Sequence, residues 1–195
     1  MKAVDIIYSF IQKKLVDSER VVLGFCGGRN VAAVFRELRD KDIDWSKVEI
    51  FLVDERWVSS DNEESNYKLV KDNLGVGVIH PFELDVEKYG KELDHFDLIL
   101  LSSGEDGHVA SQFPGMVTQE GKFVEVLDSP KLPKHRMTAS VELLQTASVG
   151  IILFMGEGKK EALQRFKDDS VTLDECPAKL VLGIKEHYVI TDNNI

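Results

Sequence analysis

A polar loop at residues 104–108 combines the residue types that are best suited to acid–base chemistry. Its sequence is Gly-Glu-Asp-Gly-His, and two serines separate it from the apolar run 98–101. Histidine is the side chain best suited to act as a base near neutral pH, and a carboxylate beside it can orient its ring. His108 is therefore the candidate general base, and Asp106 is its candidate partner. Three plainer interpretations stay open: a core histidine bonded to Asp106, a histidine merely packed at a helix end, or an Asp106 that caps the following helix.

Three other polar or glycine-rich segments follow apolar runs directly. They are Gly27-Gly28-Arg29-Asn30 after residues 21–26, Asp54-Glu55-Arg56 after residues 48–53, and Gly156-Glu157-Gly158-Lys159 after residues 149–155. If the apolar runs are parallel strands, all four loops lie along one edge of a sheet, where open α/β sheets bind ligands. Together they supply a base, carboxylates, cations and glycine-rich backbone. This combination suits a negatively charged polar ligand.

Single residues in these loops have candidate roles of their own. Gly27 and Gly28 let the backbone approach an anion at a helix N-terminus, and Arg29 offers a planar fork to phosphate. Lys159 can reach a bound phosphate as a point charge. The alternatives are an ordinary strand-to-helix turn at the glycine pair and a solvated lysine. Residues 54–56 form either an exposed ion-pair cluster or part of a site.

Composition excludes several classes of partner. The net charge of −10 and pI near 5.0 disfavour nucleic acid and anionic membrane surfaces, which both require basic patches. The five histidines show neither HxH nor HExxH spacing, so no metal site is expected. Cys26 and Cys176 form no metal motif and no disulfide framework. Without a membrane-length apolar run or a signal-like start, the chain is expected to be cytoplasmic.

The elements that must position these loops alternate between strands and helices. Apolar runs predict strands at 21–26, 48–53, 97–101, 148–155 and 187–191, with shorter extended pieces at 122–127 and 136–140. Periodicity predicts helices at 2–16, 31–38, 63–74 and 141–147, one ending near 168, and a further helical segment that begins at His108. Residues 75–90 are expected to have little regular structure. The pattern predicts an α/β fold: one Rossmann-like domain over residues 1–195, with a mostly parallel sheet and helices on both faces.

Six motifs, in the same order over about residues 20–190, resemble the superfamily of glucosamine-6-phosphate isomerases and 6-phosphogluconolactonases. The matching residues are Gly27 and Gly28; Trp45, Val48, Phe51, Asp54, Glu55, Arg56 and Val58; Ser65 and Asn66; residues 104–115; Pro133, Arg136, Met137 and Thr138; and Gly156 and Lys159. The chain departs from the family at Arg29-Asn30, where the glycine turn usually continues with Ser or Thr. Arg29 is then expected to replace the lost hydroxyl contact.

Two positions favour the lactonase branch of this superfamily. The deaminases have Asp-Glu-Tyr where this chain has Asp54-Glu55-Arg56, and they carry a glutamate five residues after the loop histidine. Here those positions are Arg56 and Phe113, so the deaminase ring-opening relay lacks a member. Ser111, Phe113 and Pro114 match the lactonase form instead.

The resemblance implies hydrolysis of 6-phospho-D-glucono-1,5-lactone to 6-phosphogluconate in the pentose phosphate pathway. His108 would take a proton from the attacking water, Asp106 would orient His108, and Asp54 would be a site residue of unassigned role. The substrate-binding candidates are Gly27, Gly28, Arg29, Asn30, Arg56, Arg136 and Lys159. Of these, Arg29, Arg136 and Lys159 are the phosphate candidates, and Arg56 or loop N–H groups would stabilise the oxyanion.

No cofactor and no metal are implied for this reaction, because ester hydrolysis requires neither hydride transfer nor a metal ion. The expected partner is a small phosphosugar lactone, and the protein is expected to be a monomer or a small homo-oligomer. Two alternatives stay open. One is an amino-sugar-phosphate deaminase or isomerase, and the other is a non-catalytic sugar-phosphate sensor, which has no need of the Asp-Gly-His loop.

Overall fold

The computed structural model describes residues 2–91 and 93–192. The strands are β1 (Val21–Phe25), β2 (Val48–Leu52), β3 (Asp54–Arg56), β4 (Val78–Ile79), β5 (Leu98–Ser102), β6 (Phe123–Val126), β7 (Arg136–Ala139), β8 (Val149–Phe154) and β9 (Glu186–Thr191). The helices are α1 (Ala3–Asp17), α2 (Arg29–Arg39), α3 (Asn66–Asn73), α4 (Val86–Lys91), α5 (Val141–Leu144) and α6 (Lys160–Lys167). Short 3-10 segments occupy Trp45–Lys47, Glu157–Lys159 and Pro177–Gly183.

Six parallel strands form the central sheet in the order β4-β2-β1-β5-β8-β9. Every residue of β1 and β8 is buried, because these continuous apolar runs are covered on both faces. The strand order reverses between β1 and β5, so the chain leaves two neighbouring strands in opposite directions. In sheets of this kind, a crevice opens at that reversal beyond the carboxyl ends of the strands. The predicted α/β, mostly parallel architecture is confirmed.

A second, antiparallel sheet in the order β3-β7-β6 lies beside the first. Val53 joins the two sheets, since its N–H donates to the Phe25 carbonyl at 3.0 Å and its own carbonyl accepts from Ala139 N at 2.7 Å. Asp54 therefore stands one residue beyond Val53, at the carboxyl edge of the central sheet. The sequence predicts a loop over residues 54–56, and this prediction is wrong because the segment pairs with β7.

Two further local predictions are also wrong. No helix begins at His108, because Ala110 takes a left-handed backbone conformation with φ of 51° and Val109 pairs with Gln112 in an isolated bridge. Residues 75–90 contain β4 and most of α4 rather than an irregular connection. The remaining predicted strands and helices are present, with ends displaced by a few residues. Over the described residues, no helix is both long and apolar enough to cross a membrane.

Candidate functional site

A cavity of about 600 Å³ opens at the carboxyl edge of the central sheet. Its lining comes from the segments that follow four strands, as the sequence predicts, although one of these segments is strand β3 rather than a loop. The lining residues are Gly27, Gly28, Arg29 and Asn30 after β1; Asp54 and Arg56 in β3, which follows β2; Ser103, Gly104, Glu105 and His108 after β5; and Met155, Gly156, Gly158 and Lys159 after β8. Cys26, Asn66, Ser102 and Ala110 complete the wall. Because β1 and β5 are neighbours, the cavity lies at the strand-order reversal.

His108 and Asp106 form the only histidine–carboxylate pair at this cavity among the described residues. His108 Nδ1 donates to Asp106 Oδ1 at 2.5 Å, and the backbone N–H of His108 donates to the same oxygen at 3.2 Å. Partial burial acts to raise the pKa of Asp106, but the hydrogen bond and charge of His108 hold that pKa well below its usual range. An ionised Asp106 fixes the proton on Nδ1, which leaves Nε2 as the proton-accepting nitrogen.

The loop that carries this pair is closed by its own backbone. Gly104 N donates to the His108 carbonyl at 2.7 Å, and Gly107 N donates to the Gly104 carbonyl at 3.3 Å. A Cβ on Gly104 would lie 2.0 Å from His108 Nδ1, so only glycine allows the ring to fold back over the loop. On its other side, the His108 ring packs against Phe113 with the ring centroids 4.7 Å apart. The imidazole is therefore held from two directions.

Asp54, Arg56 and Asn66 form a compact polar cluster on the facing wall. Asn66 Oδ1 accepts from Arg56 Nη1 at 2.7 Å, and Asn66 Nδ2 donates to the Asp54 carbonyl at 2.8 Å and to Asp54 Oδ1 at 3.2 Å. Arg56 Nη1 also donates to the Glu64 carbonyl at 2.6 Å. Asp54 Oδ2 accepts from Ser111 Oγ at 2.9 Å. Asp54 is buried rather than exposed, which excludes the surface ion-pair interpretation of this segment.

Glu55 lies behind this cluster and caps α3. Its carboxylate accepts from the backbone N–H groups of Arg56, Asn66 and Tyr67 at 2.7–2.8 Å and from the Ser65 hydroxyl at 2.8 Å. Burial raises the pKa of Glu55, and these four donors oppose that effect. Because a carboxylate satisfies the free N–H groups of a helix N-terminus, Glu55 fixes where α3 begins. It therefore also fixes where Asn66, the first residue of α3, enters the cavity wall.

Two cations lie at the end of the cavity where α2 begins. Arg29 is the first residue of α2, Gly28 is its N-cap, and Asn30 Nδ2 donates to the Met155 carbonyl at 3.2 Å. Partial burial lowers the pKa of Lys159, and the charges of Lys131 and Arg29 act in the same direction. Glu105 and Asp106 oppose them. The free N–H groups of α2 and these cations make this end of the cavity suitable for an anion.

Arg136 is the one predicted phosphate candidate that the structure does not bring to the cavity. It is only 5% exposed, and its guanidinium donates to the carbonyls of residues 131–133 at 2.8–3.4 Å. Its Nη1 lies 4.0 Å from Asp54 Oδ2, and its guanidinium lies over the Phe113 ring. The structure therefore does not support a phosphate role for Arg136. Burial turns its donors toward backbone carbonyls of the connection between β6 and β7, so Arg136 stabilises that connection.

Two residues outside the predicted set, Asn66 and Ser111, take part in the site. Both lie within motifs that support the family resemblance, but nothing in their spacing shows that their side chains meet Asp54. Both cysteines, Cys26 and Cys176, are free and buried, and burial raises both thiol pKa values. Across residues 2–91 and 93–192, no three His, Cys, Asp or Glu side chains are grouped so that they could hold a metal ion.

Similar proteins share both the sequence and this architecture. Residues 1–190 match the family model for glucosamine-6-phosphate isomerases and 6-phosphogluconolactonase. A 6-phosphogluconolactonase from Borreliella burgdorferi is 30% identical over 94% of this chain and 87% of its own length. The crystal structure of a 6-phosphogluconolactonase from Thermotoga maritima superimposes with a TM-score of 0.83 at 28% identity, covering 96% of this chain and 92% of that one. One from Shewanella baltica gives 0.85 at 25% identity, covering 96% and 89%.

Proposed function

The chain belongs to the family of glucosamine-6-phosphate isomerases and 6-phosphogluconolactonases, and from this membership and the cavity we propose that it hydrolyses 6-phospho-D-glucono-1,5-lactone to 6-phosphogluconate, a step of the pentose phosphate pathway. The observation that carries the proposal is the Asp106–His108 pair. It opens onto a cavity that is also lined by the N-terminus of α2 and by Lys159. A base and an anion site in one cavity match a lactone that carries a phosphate.

In the proposed first step, His108 Nε2 removes a proton from water as the water oxygen attacks the lactone carbonyl carbon. The carbonyl oxygen becomes an oxyanion in the tetrahedral intermediate. Collapse of the intermediate breaks the bond between this carbon and the ring oxygen. The His108 imidazolium then returns the proton to the departing ring oxygen, which becomes the free hydroxyl of 6-phosphogluconate. General base catalysis of this kind contributes about 10²- to 10⁴-fold in rate.

Arg56 is the group that we assign to the developing oxyanion. Its guanidinium is held by Asn66 and by the Glu64 carbonyl, so its charge is already oriented before the substrate arrives. A donor that is fixed in advance costs no reorganisation when charge develops, and this is the usual source of oxyanion stabilisation. The backbone N–H groups of Gly27 and Gly28, Arg29, Asn30 and Lys159 are assigned to the substrate, with Arg29 and Lys159 on the phosphate.

The same cavity argues against the deaminase alternative. That chemistry requires a carboxylate five residues after the loop histidine, and this chain has Phe113 there, fully buried against the His108 ring. Phe113 has no group that can accept or donate a proton, so that relay is incomplete in this chain. The sensor alternative leaves the short Asp106–His108 contact without a purpose. We therefore retain lactone hydrolysis as the single proposed activity.

The purified protein is assayed with two substrates, the phosphorylated lactone and glucosamine 6-phosphate. We expect 6-phosphogluconate to form from the lactone faster than by spontaneous hydrolysis, as measured by coupled oxidation of the product. Glucosamine 6-phosphate is expected to release no ammonia. Ammonia release would assign the chain to the deaminases, and thermal stabilisation by 6-phosphogluconate without turnover would assign it to the sensors. Action in the cytoplasm, and a monomer or small homo-oligomer, remain part of the proposal.

A further inference from the structure

We propose that Asn66 is a positioning residue for this reaction, whose single side-chain amide orients Arg56 and Asp54 at the same time. The inference deepens the proposed lactonase function and rests on it. Asn66 is only 1% exposed, although its side chain borders the cavity. A buried amide in a cavity wall must have its donors and its acceptor satisfied, so the hydrogen-bond partners of Asn66 indicate its role.

The two ends of the amide are bound to groups of opposite charge. The acceptor end, Oδ1, lies 2.7 Å from Arg56 Nη1, and the donor end, Nδ2, lies 2.8 Å from the Asp54 carbonyl and 3.2 Å from Asp54 Oδ1. Only an oxygen can face the guanidinium, and only an N–H group can face the carboxylate. Both amide protons are therefore used within the protein, so Asn66 acts through Arg56 and Asp54 rather than on the substrate.

Asn66 is itself fixed from two sides. Its backbone N–H donates to Glu55 Oε1 at 2.7 Å, and it is the first residue of α3, whose N-cap is Ser65. On the cavity side, a Cβ at position 27 would lie 1.8 Å from Asn66 Oδ1. Gly27 therefore leaves the space that the amide fills. The amide is held between the turn after β1 and strand β3, and it cannot rotate without breaking one of these contacts.

Loss of the Asn66 amide should affect the chemical step more than it affects phosphate binding. An arginine side chain has many rotamers, and a guanidinium that must reach an oxyanion works best when it is already ordered. Asn66 and the Glu64 carbonyl share Arg56 Nη1 and supply that order. None of the hydrogen bonds of the Asn66 side chain goes to Arg29 or Lys159, the two cations assigned to the phosphate. Loss of the amide should therefore lower kcat while leaving KM for the phosphorylated lactone nearly unchanged.

The test compares Asn66→Ser with a matched substitution on the same helix. Asn73 ends α3, and its amide also bridges an arginine and a carbonyl: it accepts from Arg36 Nη1 at 2.6 Å and donates to the Leu69 carbonyl at 2.8 Å. We expect Asn66→Ser to lower kcat by about 10- to 100-fold with KM within about threefold, and Asn73→Ser to leave both unchanged. In an Arg56→Ala background, Asn66→Ser should lower kcat by a clearly smaller factor than in the wild-type background, because one of the two groups that it orients is gone.

Each other outcome overturns the inference. A wild-type kcat for Asn66→Ser removes its role, and an equal loss with and without Arg56 means that Asn66 does not act through Arg56. An equal loss of kcat in Asn73→Ser would mean that the effect comes from the stability of α3 and not from the contacts of Asn66. If Asn66→Ser does not fold, Asn66→Ala, which also removes both ends of the amide, enters the same cycle. Failure of both to fold, with Asn73→Ser folded, would make Asn66 purely structural. Absence of wild-type lactone turnover would contradict the proposed function instead.

Discussion

Replacement of Asp106 by asparagine isolates the contribution of one charge to the proposed mechanism. Asparagine keeps the shape of aspartate and an oxygen that can still accept from the backbone and ring N–H groups of His108. What it removes is the negative charge. Since the His108 interaction holds the pKa of Asp106 well below its usual range, this carboxyl is ionised at every pH of a normal assay. The substitution therefore changes the charge by one unit throughout the assay range.

The size of the effect follows from the contact geometry. A hydrogen bond to a charged group contributes about 1.5–3 kcal/mol, and the separation of 2.5 Å favours a strong one. The Asp106 side chain is 33% exposed, however, so water screens part of its charge. If the carboxylate stabilises the imidazolium that forms in the transition state, its loss should lower kcat by about 10- to 150-fold with little change in KM.

The assay is steady-state lactone hydrolysis, corrected for the spontaneous rate, at fixed pH. Glu125→Gln is the matched control, because Glu125 Oε1 faces His135 Nε2 at 2.6 Å in a carboxylate–histidine pair that does not line the cavity. We expect Glu125→Gln to leave kcat unchanged. A folded Asp106→Asn with wild-type kcat, or a change in KM alone, would refute the assignment of Asp106 as the partner of a catalytic base.

Three further predictions follow from the cavity and its supports. Lys159→Ala and Arg29→Ser should each raise KM for the phosphorylated lactone by about 10- to 150-fold while leaving hydrolysis of unphosphorylated gluconolactone nearly unchanged; equal losses on both substrates would remove them from phosphate binding. Arg136→Ala should lower the free energy of unfolding in urea by about 2–4 kcal/mol, since three backbone carbonyls lose their donor, and an unchanged midpoint would contradict this structural role. Gly27→Ala should displace the Asn66 amide and lower kcat at least about tenfold in a folded protein, whereas a wild-type kcat would show that the wall tolerates a Cβ.

The central sheet and the edge that carries the site could be predicted from the sequence because their signals are local. Continuous apolar runs such as 148–155 indicate strands buried on both faces, and glycine-rich polar loops end them. Once the strands are parallel, the four loops must share an edge, which is how the cavity between Gly28 and His108 follows from the sequence. The antiparallel sheet does not follow, because residues 54–56 pair with β7 about eighty residues later.

The direction of individual side chains could not be predicted from the sequence, because it depends on contacts between segments that are distant along the chain. Arg136 lies in a motif with the right charge for phosphate, yet burial turns it toward backbone carbonyls. Asn66 lies in a motif as well, but its proposed role depends on the hydrogen bond that its side chain accepts from Arg56 in the cavity wall. The segment after His108 has helix-compatible residues, and tertiary contacts hold it in a bridged turn instead. Long-range contacts decided these three cases, and sequence spacing carries no information about them.

The rate of lactone hydrolysis by His108→Ala tests the central claim most directly. His108 is the proposed general base in the cavity wall, and its replacement leaves Lys159 in place. We predict that kcat/KM falls by about 10²- to 10⁴-fold, while the circular dichroism spectrum and the cooperative thermal transition are retained. A folded His108→Ala that keeps the wild-type kcat/KM for 6-phospho-D-glucono-1,5-lactone would contradict the account.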